Sequence, residues 1–367
     1  MDIVLKLSKL CNLRCTYCFE YDSLGDPARM ALDDLSFLFD SVGRYWQAQR
    51  PDDAIRFVFH GGEPLLLPIP YYDHIFDLQR RFLDQRQVRY DNVAQTNLYK
   101  LTDERLRHII DNKIYLGISV DVLGSQRILA NGKESQEKVF DNMEKLHDHG
   151  VEFGAIAVLH KNNITKVLSQ YNFFNALGID YRILPIFSYE ASGDCRTQRL
   201  MISRQELVEA YKQVGDAMLS NSNRIKVRPL WDYFQAAVAH MSHAPRNSVD
   251  PAIDDIPLQV DIDGSVYTDC DSYSPNGYLG NAFQEDFGDI VARKTTAVSI
   301  NFLQSRVDTC RQCEFDGYCS REPMINLHPS ERRISNGLCE CPVAKALIHD
   351  FQQRIAGTKA ARELVMS

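Results

Sequence analysis

From residue 2 to about residue 187 the chain alternates short apolar runs with amphipathic ones. The apolar runs are "DIVLKLSK" (2–9), "AIRFVFH" (54–60), "RYDNVAQT" (89–96), "IYLGISVD" (114–121), "FGAIAVLH" (153–160) and "YRILPIF" (181–187). They are β-branched and apolar on both faces, as strands buried on both sides should be. Between them lie helical patterns such as "ALDDLSFLFDSVGRYW", "YYDHIFDLQRRFL", "TDERLRHIIDN", "SQEKVFDNMEKLHDHG" and "ITKVLSQYNFFNALG". Thr102 and Ser135 are N-cap candidates, and Gly150 and Gly178 are C-terminal stops. Strands alternating with helices predict parallel β/α units. A right-handed series of six such units curls into an open, partial barrel. The predicted fold class is therefore α/β, a partial (β/α)6 TIM-like barrel, with functional groups at the C-terminal ends of its strands.

After residue 187 the pattern changes. "YEASGDCRTQ" reads as loop, followed by the helical stretches "SRQELVEAYKQVGDAMLSN" and "PLWDYFQAAVAHMSH". "SHAPRNSVDPAIDDIP" is a Pro- and Asp-rich linker, and "LQVDIDGSVYTDCD" is a hairpin turning at Asp263-Gly264. A cysteine-rich tail ends in a helix from about Pro342, a residue suited to a first helical position. This predicts a barrel over 1–187, a helical bridging region over 188–257, and a cysteine-rich α+β domain with a C-terminal helix over 258–367.

Composition narrows the class. The chain has 367 residues, 44% hydrophobic and 25% charged, which suits a globular protein with a large core. Its net charge of −8 argues against a general nucleic-acid binder. No apolar run approaches the ~18–20 residues needed to span a bilayer, and no signal-peptide pattern opens the chain. The expectation is a cytoplasmic protein without a membrane or nucleic-acid partner. In that compartment ten cysteines are not a disulfide framework. They clump instead, three at 11–18 and six between 270 and 341, which favours two metal sites or more.

"CNLRCTYCFE" holds Cys11, Cys15 and Cys18 behind the first strand. Structural zinc sites are closed by four protein ligands, and no fourth ligand lies nearby in sequence. A distant ligand would complete a zinc knuckle. A [4Fe–4S] cluster on three thiolates would instead leave one iron open to a small molecule. The second strand ends in "HGGEP". There Gly61 and Gly62 let the backbone approach a ligand closely, and Glu63 can accept a charge-assisted hydrogen bond from an ammonium group.

Cys11-x3-Cys15-x2-Cys18 with Tyr17 before the third cysteine, together with "HGGEP", resembles the radical S-adenosylmethionine (SAM) superfamily. The resemblance implies a cluster whose open iron chelates SAM, electron transfer that cleaves SAM to a 5′-deoxyadenosyl radical, and hydrogen abstraction by that radical. The cofactor carries this chemistry while the protein places it. The resemblance further assigns Thr96, Asn97 and Ser119 to the SAM ribose or methionine, Asp121 to the substrate side, and Arg182 to the SAM carboxylate. The alternatives are a plain strand residue at Ser119, a helix cap at Asp121 and a structural ion pair at Arg182.

Cys310-x2-Cys313-x5-Cys319, followed by Cys339 and Cys341, would fit a zinc ribbon. Behind a radical SAM barrel it resembles the SPASM extension, which holds auxiliary iron–sulfur clusters. The match departs from the pattern at Pro323 and Glu285, where cysteines are expected. One auxiliary cluster keeps Cys310, Cys313, Cys319 and either Cys339 or Cys341. A second keeps mainly Cys270 and would need unusual ligands. Cys195 is isolated and reads as a buried thiol or pocket residue. Asp271 and Asp269 flank Cys270, and resemblance to sulfatase-maturing relatives makes Asp271 the candidate base. Hairpin-end residues are the alternative.

Within the superfamily the sequence is most similar to maturases of ribosomally made peptides, especially those forming cyclophane links. That implies a separate precursor peptide, an external electron donor, and leader recognition by the barrel, the SPASM region or a separate protein, since the chain begins almost at its first strand. The alternatives are a sulfatase-type maturase oxidising Cys or Ser to formylglycine, and a non-enzymatic zinc-binding peptide-recognition protein.

Overall fold

The computed structural model describes residues 1–123, 125–186, 195–221, 225–246, 256–268, 273, 275–294, 297, 307–321, 334–335, 338–339 and 341–357. The chain forms two compact units. One comprises Met1–Ser119, Arg127–Phe153 and Pro251–Phe302; the other comprises Val120–Gln126, Gly154–Asp250 and Leu303–Ser367.

The first unit alternates β1 (Asp2–Ser8), α1 (Leu32–Gln49), β2 (Ala54–Gly61), α2 (Ile69–Phe82), β3 (Arg89–Thr96), α3 (Asp103–Asp111), β4 (Tyr115–Ser119) and α4 (Gln136–Asp148). β1 to β4 lie side by side and parallel. On the face toward the helices, Phe57 meets Phe39 of α1 at 5.2 Å between ring centroids, and Phe59 meets Tyr72 of α2 at 5.4 Å. Full burial of each such ring is worth about 1.5–3 kcal/mol, so these contacts fix which face the helices cover. The Thr102 hydroxyl accepts the Arg105 N–H and caps α3. Ser135 stands before α4, but its hydroxyl donates to the Arg127 carbonyl at 2.8 Å and ties down the preceding turn instead.

Within the second unit, β5 (Phe153–Leu159, from Gly154), α5 (Val167–Leu177), β6 (Tyr181–Pro185), α6 (Cys195–Gln198), α7 (Arg204–Ser220), β7 (Val227–Arg228) and α8 (Leu230–Met241) follow in order. β5, β6 and β7 are parallel, and Gly178 ends α5 in the left-handed conformation. All six predicted strands are present, each within two residues of its expected bounds. The α/β fold with parallel strands is as expected.

The chain then returns to the first unit. β8 (Leu258–Val260) runs parallel to β1, and β9 (Ser265–Tyr267) and β10 (Tyr278–Asn281) extend it antiparallel, before α9 (Phe287–Arg293). The hairpin turns at Gly264, φ +87°. In the second unit, β11 (Ile334–Ser335) pairs with β12 (Leu338–Cys339), and α10 (Pro342–Gly357) begins at Pro342 as expected. α10 packs on α7 and α8 through Phe351, 5.7 Å from Phe234 and close over Gly215. Among the described residues no helix is long and apolar enough to cross a membrane.

Candidate active site

Two strand ends in the first unit are joined through the backbone. The Gly62 N–H donates to the Ser8 carbonyl and the Glu63 N–H to the Leu10 carbonyl, both at 2.8 Å. "HGGEP" is thereby zipped to the segment that enters the cysteine loop. The approach is too close for a side chain. A Cβ on Gly61, whose φ is +127°, would lie 2.0 Å from the Ser8 oxygen, and one on Gly62 would lie 2.3 Å from the oxygens of Lys9 and Leu10. The glycines serve close backbone packing between the two motifs.

Glu63 is 2% exposed. Its carboxylate accepts the Thr96 hydroxyl at 2.7 Å, the Asn97 N–H at 2.6 Å and the Leu65 N–H at 2.9 Å. All three donors are neutral. Burial pushes its carboxyl above the ordinary range, against the pull of those donors. The Asn97 amide reaches the Asn12 side chain at 2.9 Å and the Cys11 Sγ at 3.6 Å. One chain of contacts thus runs from the end of β2 through the end of β3 to the first cysteine.

The cysteine loop is pinned at both ends and along its middle. Arg14 donates from Nη1 to the carbonyls of Cys11 and Leu13 at 2.8 Å, and its N–H reaches the Ile128 carbonyl. Arg127 reaches the Tyr17 hydroxyl at 3.0 Å. The Cys11 thiol is pushed up to about 11, first by burial and then by the Glu63 charge; Cys18 is pushed up to about 12, by burial and then by its neighbour Cys15. Thiols so placed resist ionising unless a cationic group takes the charge, and a group with several ferric or ferrous centres supplies it. Among the described residues no three His, Cys, Asp or Glu side chains converge as ligands of one metal ion. The donor set fits an iron–sulfur cluster: three thiols on one short loop, and no fourth protein ligand beside them in sequence.

Residues 5–172 match the Radical SAM superfamily. A serine-type anaerobic sulfatase-maturating enzyme of Bacteroides thetaiotaomicron is 32% identical over 189 residues, covering 49% of this chain and 44% of that protein's length. A cysteine-type anaerobic sulfatase-maturating enzyme of Clostridium novyi is 24% identical over 370 residues, 96% of this chain and 95% of the relative. Among solved structures, native anSMEcpe with bound AdoMet and Cp18Cys peptide superposes with a TM-score of 0.78 at 20% identity, over 100% of this chain and 98% of that one. Streptococcus suis SuiB bound to S-adenosylmethionine follows at a TM-score of 0.60 and 13% identity, over 94% of this chain and 77% of that one.

Within the first unit, the Ser119 hydroxyl accepts the Gln95 amide at 2.8 Å, which places the ends of β3 and β4 in one polar row. No local pattern marks Asn12, Arg127 or Tyr17 as loop anchors, because their partners lie 85 and 110 residues away. A buried charge cluster was also missed. Lys9 reaches Glu20 at 3.0 Å, Asp261 at 2.8 Å and the Tyr273 hydroxyl at 2.7 Å, with Lys6 behind it at 3.7 Å from Glu20. These contacts fasten the β8–β9 hairpin to residues flanking the cysteine loop. Cys270 and Asp271 lie outside the described residues.

The second unit holds the remaining candidates. Asp121 is buried and accepts the Val158 N–H at 2.9 Å, while Arg182 is half-buried on β6. Cys195 opens α6, and its side chain lies outside the described residues, as does that of Cys339 on β12. Cys310, Cys313, Cys319 and Cys341 line one cavity of about 470 Å³, with Asp316 and Arg321 in its wall. None of these four is in a disulfide. Four thiols around one cavity fit a closed iron–sulfur cluster. In the first unit Glu285 stands where the SPASM pattern expects a cysteine. It accepts the Asn281 N–H at 2.8 Å and pairs with Arg293 at 2.5 Å, so that position serves the β10–α9 turn.

Proposed function

We propose that this chain is a radical SAM maturase that takes a hydrogen atom from a side-chain carbon of a peptide or protein segment. The observation that carries the reading is the pairing of "HGGEP" with the three-cysteine loop, continued through Glu63, Thr96 and Asn97 to Cys11. Cys11, Cys15 and Cys18 would hold the cluster, and Glu63, Thr96, Asn97 and Ser119 would orient SAM. A [4Fe–4S] cluster with SAM bound there supplies hydrogen-atom abstraction. The chain's own part is placement. Asp271 is the better candidate to take the proton that leaves the substrate, since Asp121 already holds a backbone N–H. Cys310, Cys313, Cys319 and Cys341 would hold the auxiliary cluster that receives the leaving electron. An external electron donor and a separately encoded precursor peptide are the partners this reading calls for, with the leader recognised by the barrel, the SPASM region or a separate protein. Clusters of this kind suit the reducing cytoplasm.

Two products fit one hydrogen abstraction followed by loss of one electron. The relatives, named serine-type and cysteine-type sulfatase-maturating enzymes, favour the sulfatase-type reading, oxidation of Cys or Ser to formylglycine. The cyclophane-type carbon–carbon link rests on the likeness of the sequence to maturases of ribosomally made peptides.

Anaerobic reconstitution tests the class. Expected are about 8 iron atoms per chain, two cubanes, and 5′-deoxyadenosine from SAM under reduction. Replacing Cys11, Cys15 and Cys18 with Ala should abolish that cleavage; retained cleavage would refute the site. A chain that takes up zinc alone would point to the peptide-recognition protein. Peptides encoded beside the gene, and sulfatase peptides bearing Cys or Ser, then separate the products. Formylglycine reacts with an aldehyde probe, whereas a cross-link loses two hydrogens and is silent to it.

A further inference from the structure

The cavity of the second unit carries an ion pair that the maturase reading does not use. Arg321 is 6% exposed, and its φ of +60° puts a long side chain in the left-handed region. That conformation is uncommon for a residue with a Cβ and marks a position worth explaining. Here it turns the Arg321 N–H onto the Cys319 Sγ at 3.4 Å. The Arg321 guanidinium in turn meets the Asp316 carboxylate at 2.5 Å, and both residues line the cavity beside the four cysteines. Arg246 adds a second cationic influence at Cys319. Its N–H donates to the Gly317 carbonyl and its guanidinium to Gln235 at 3.1 Å.

Reducing an iron–sulfur cluster adds one negative charge to it. Hydrogen bonds to its sulfurs and nearby positive charge favour the reduced state, while a nearby carboxylate disfavours it. Arg321 and Asp316 therefore act on the same site with opposite signs. We propose that Arg321 and Asp316 are an opposed pair of positioning residues that sets the reduction potential of the iron–sulfur cluster held by Cys310, Cys313, Cys319 and Cys341. Arg321 raises the potential so that the cluster accepts an electron, and Asp316 holds the guanidinium in place and limits the rise. This inference rests on the auxiliary cluster of the maturase reading.

The test uses the full chain with Cys11, Cys15 and Cys18 replaced by Ala, so that the auxiliary cluster alone contributes. Its midpoint is read by a potentiometric titration followed by electron paramagnetic resonance, which needs no substrate. Arg321→Met should lower the midpoint at least tenfold in the reduced-to-oxidised ratio at fixed potential, about 59 mV for one electron. Asp316→Asn should raise it, and Arg321→Lys should fall between parent and Arg321→Met. Should Arg321→Met load less iron than the parent, the isosteric Asp316→Asn carries the test alone. Midpoints within twofold of the parent, about 18 mV, or shifts of the same sign in Met and Asn variants, overturn the proposal. A parent chain that binds no iron overturns the auxiliary cluster itself, and this proposal with it.

Discussion

Gly62→Ala tests whether the two motifs are held together by the backbone approach described above. The new Cβ would lie 2.3 Å from two carbonyl oxygens, those of Lys9 and Leu10, where ordinary contact begins at 3.4 Å. Both obstacles are backbone, so the strand end must retreat by about 1 Å. Overpacking of this kind costs about 1–3 kcal/mol. The same retreat stretches the bonds from the Gly62 and Glu63 N–H groups to Ser8 and Leu10, each 2.8 Å long. Each such bond is worth about 0.5–1.5 kcal/mol. The expected loss is about 2–6 kcal/mol, a large share of a total stability of about 5–15 kcal/mol. For a unit of about 150–250 residues each kcal/mol moves the melting temperature by about 2–4 °C. Calorimetry of the cluster-free protein should therefore show the melting temperature down by at least about 4 °C. Reconstituted protein should retain less iron at the first site. Gly25→Ala is the control, because its Cβ would meet nothing closer than the Arg14 side chain at 4.0 Å. A Gly62→Ala protein that melts within 1 °C of wild type and loads iron fully would refute the argument.

Lys9→Met removes the cation that Glu20 and Asp261 share at 3.0 and 2.8 Å. Breaking a buried pair costs about 3–5 kcal/mol, measurable by urea denaturation; a loss under 1 kcal/mol would show that the cluster is not a fastening. Thr96→Val removes the hydroxyl that donates to Glu63 and accepts the Leu98 N–H. The expected cost is about 1–3 kcal/mol, with weaker SAM binding by calorimetric titration; unchanged stability and affinity would contradict it. Glu206 is held down to about 2 by Lys161 and by the Ser203 capping box of α7. A depressed carboxyl contributes stability above its unfolded value of about 4.5 and loses it as pH falls toward 2. Carbon-detected titration should show Glu206 ionised at pH 3.5, and a midpoint near 4.5 would remove the capping argument.

What could be read from the chain was what one segment decides for itself. Strand positions follow from apolar runs of fixed length, the hairpin from Asp263-Gly264, and the cysteine loop from spacing alone. What could not be read depends on register between distant segments. "VLKLSK" carries two lysines in an apolar run, and nothing local says what they face. Yet Lys6 pairs across to His60 on β2 and is fully buried. Burial holds His60 neutral, with the Lys6 charge beside it acting the same way. β1 runs parallel to β8, some 255 residues later, and that neighbour brings Asp261 to Lys9. No local pattern encodes a partner so remote. The same holds for Cys341, whose place in one cavity wall with Cys310, Cys313 and Cys319 no local spacing encodes.

Glu63 shows how a correct residue can have a different first task. From sequence it is an acceptor waiting for a ligand's ammonium group. In the structure its two oxygens accept three neutral donors, two at Oε1 and one at Oε2. A carboxylate offers about four such positions, so one remains, at Oε2. The bonds from Thr96 and Asn97 join the ends of β2 and β3, which is a framing role that needs no ligand. Because burial raises its carboxyl, a proton competes for the remaining position when nothing else fills it. A cationic ligand group would displace that proton and gain the charge-assisted bond in a water-poor site. Frame and contact are thus separable by substitution. Glu63→Gln keeps the shape but turns one acceptor into a donor facing another donor, and should cost both stability and SAM affinity. Loss of affinity alone would mean the frame does not depend on the charge, and loss of stability alone would mean that no ammonium group binds there.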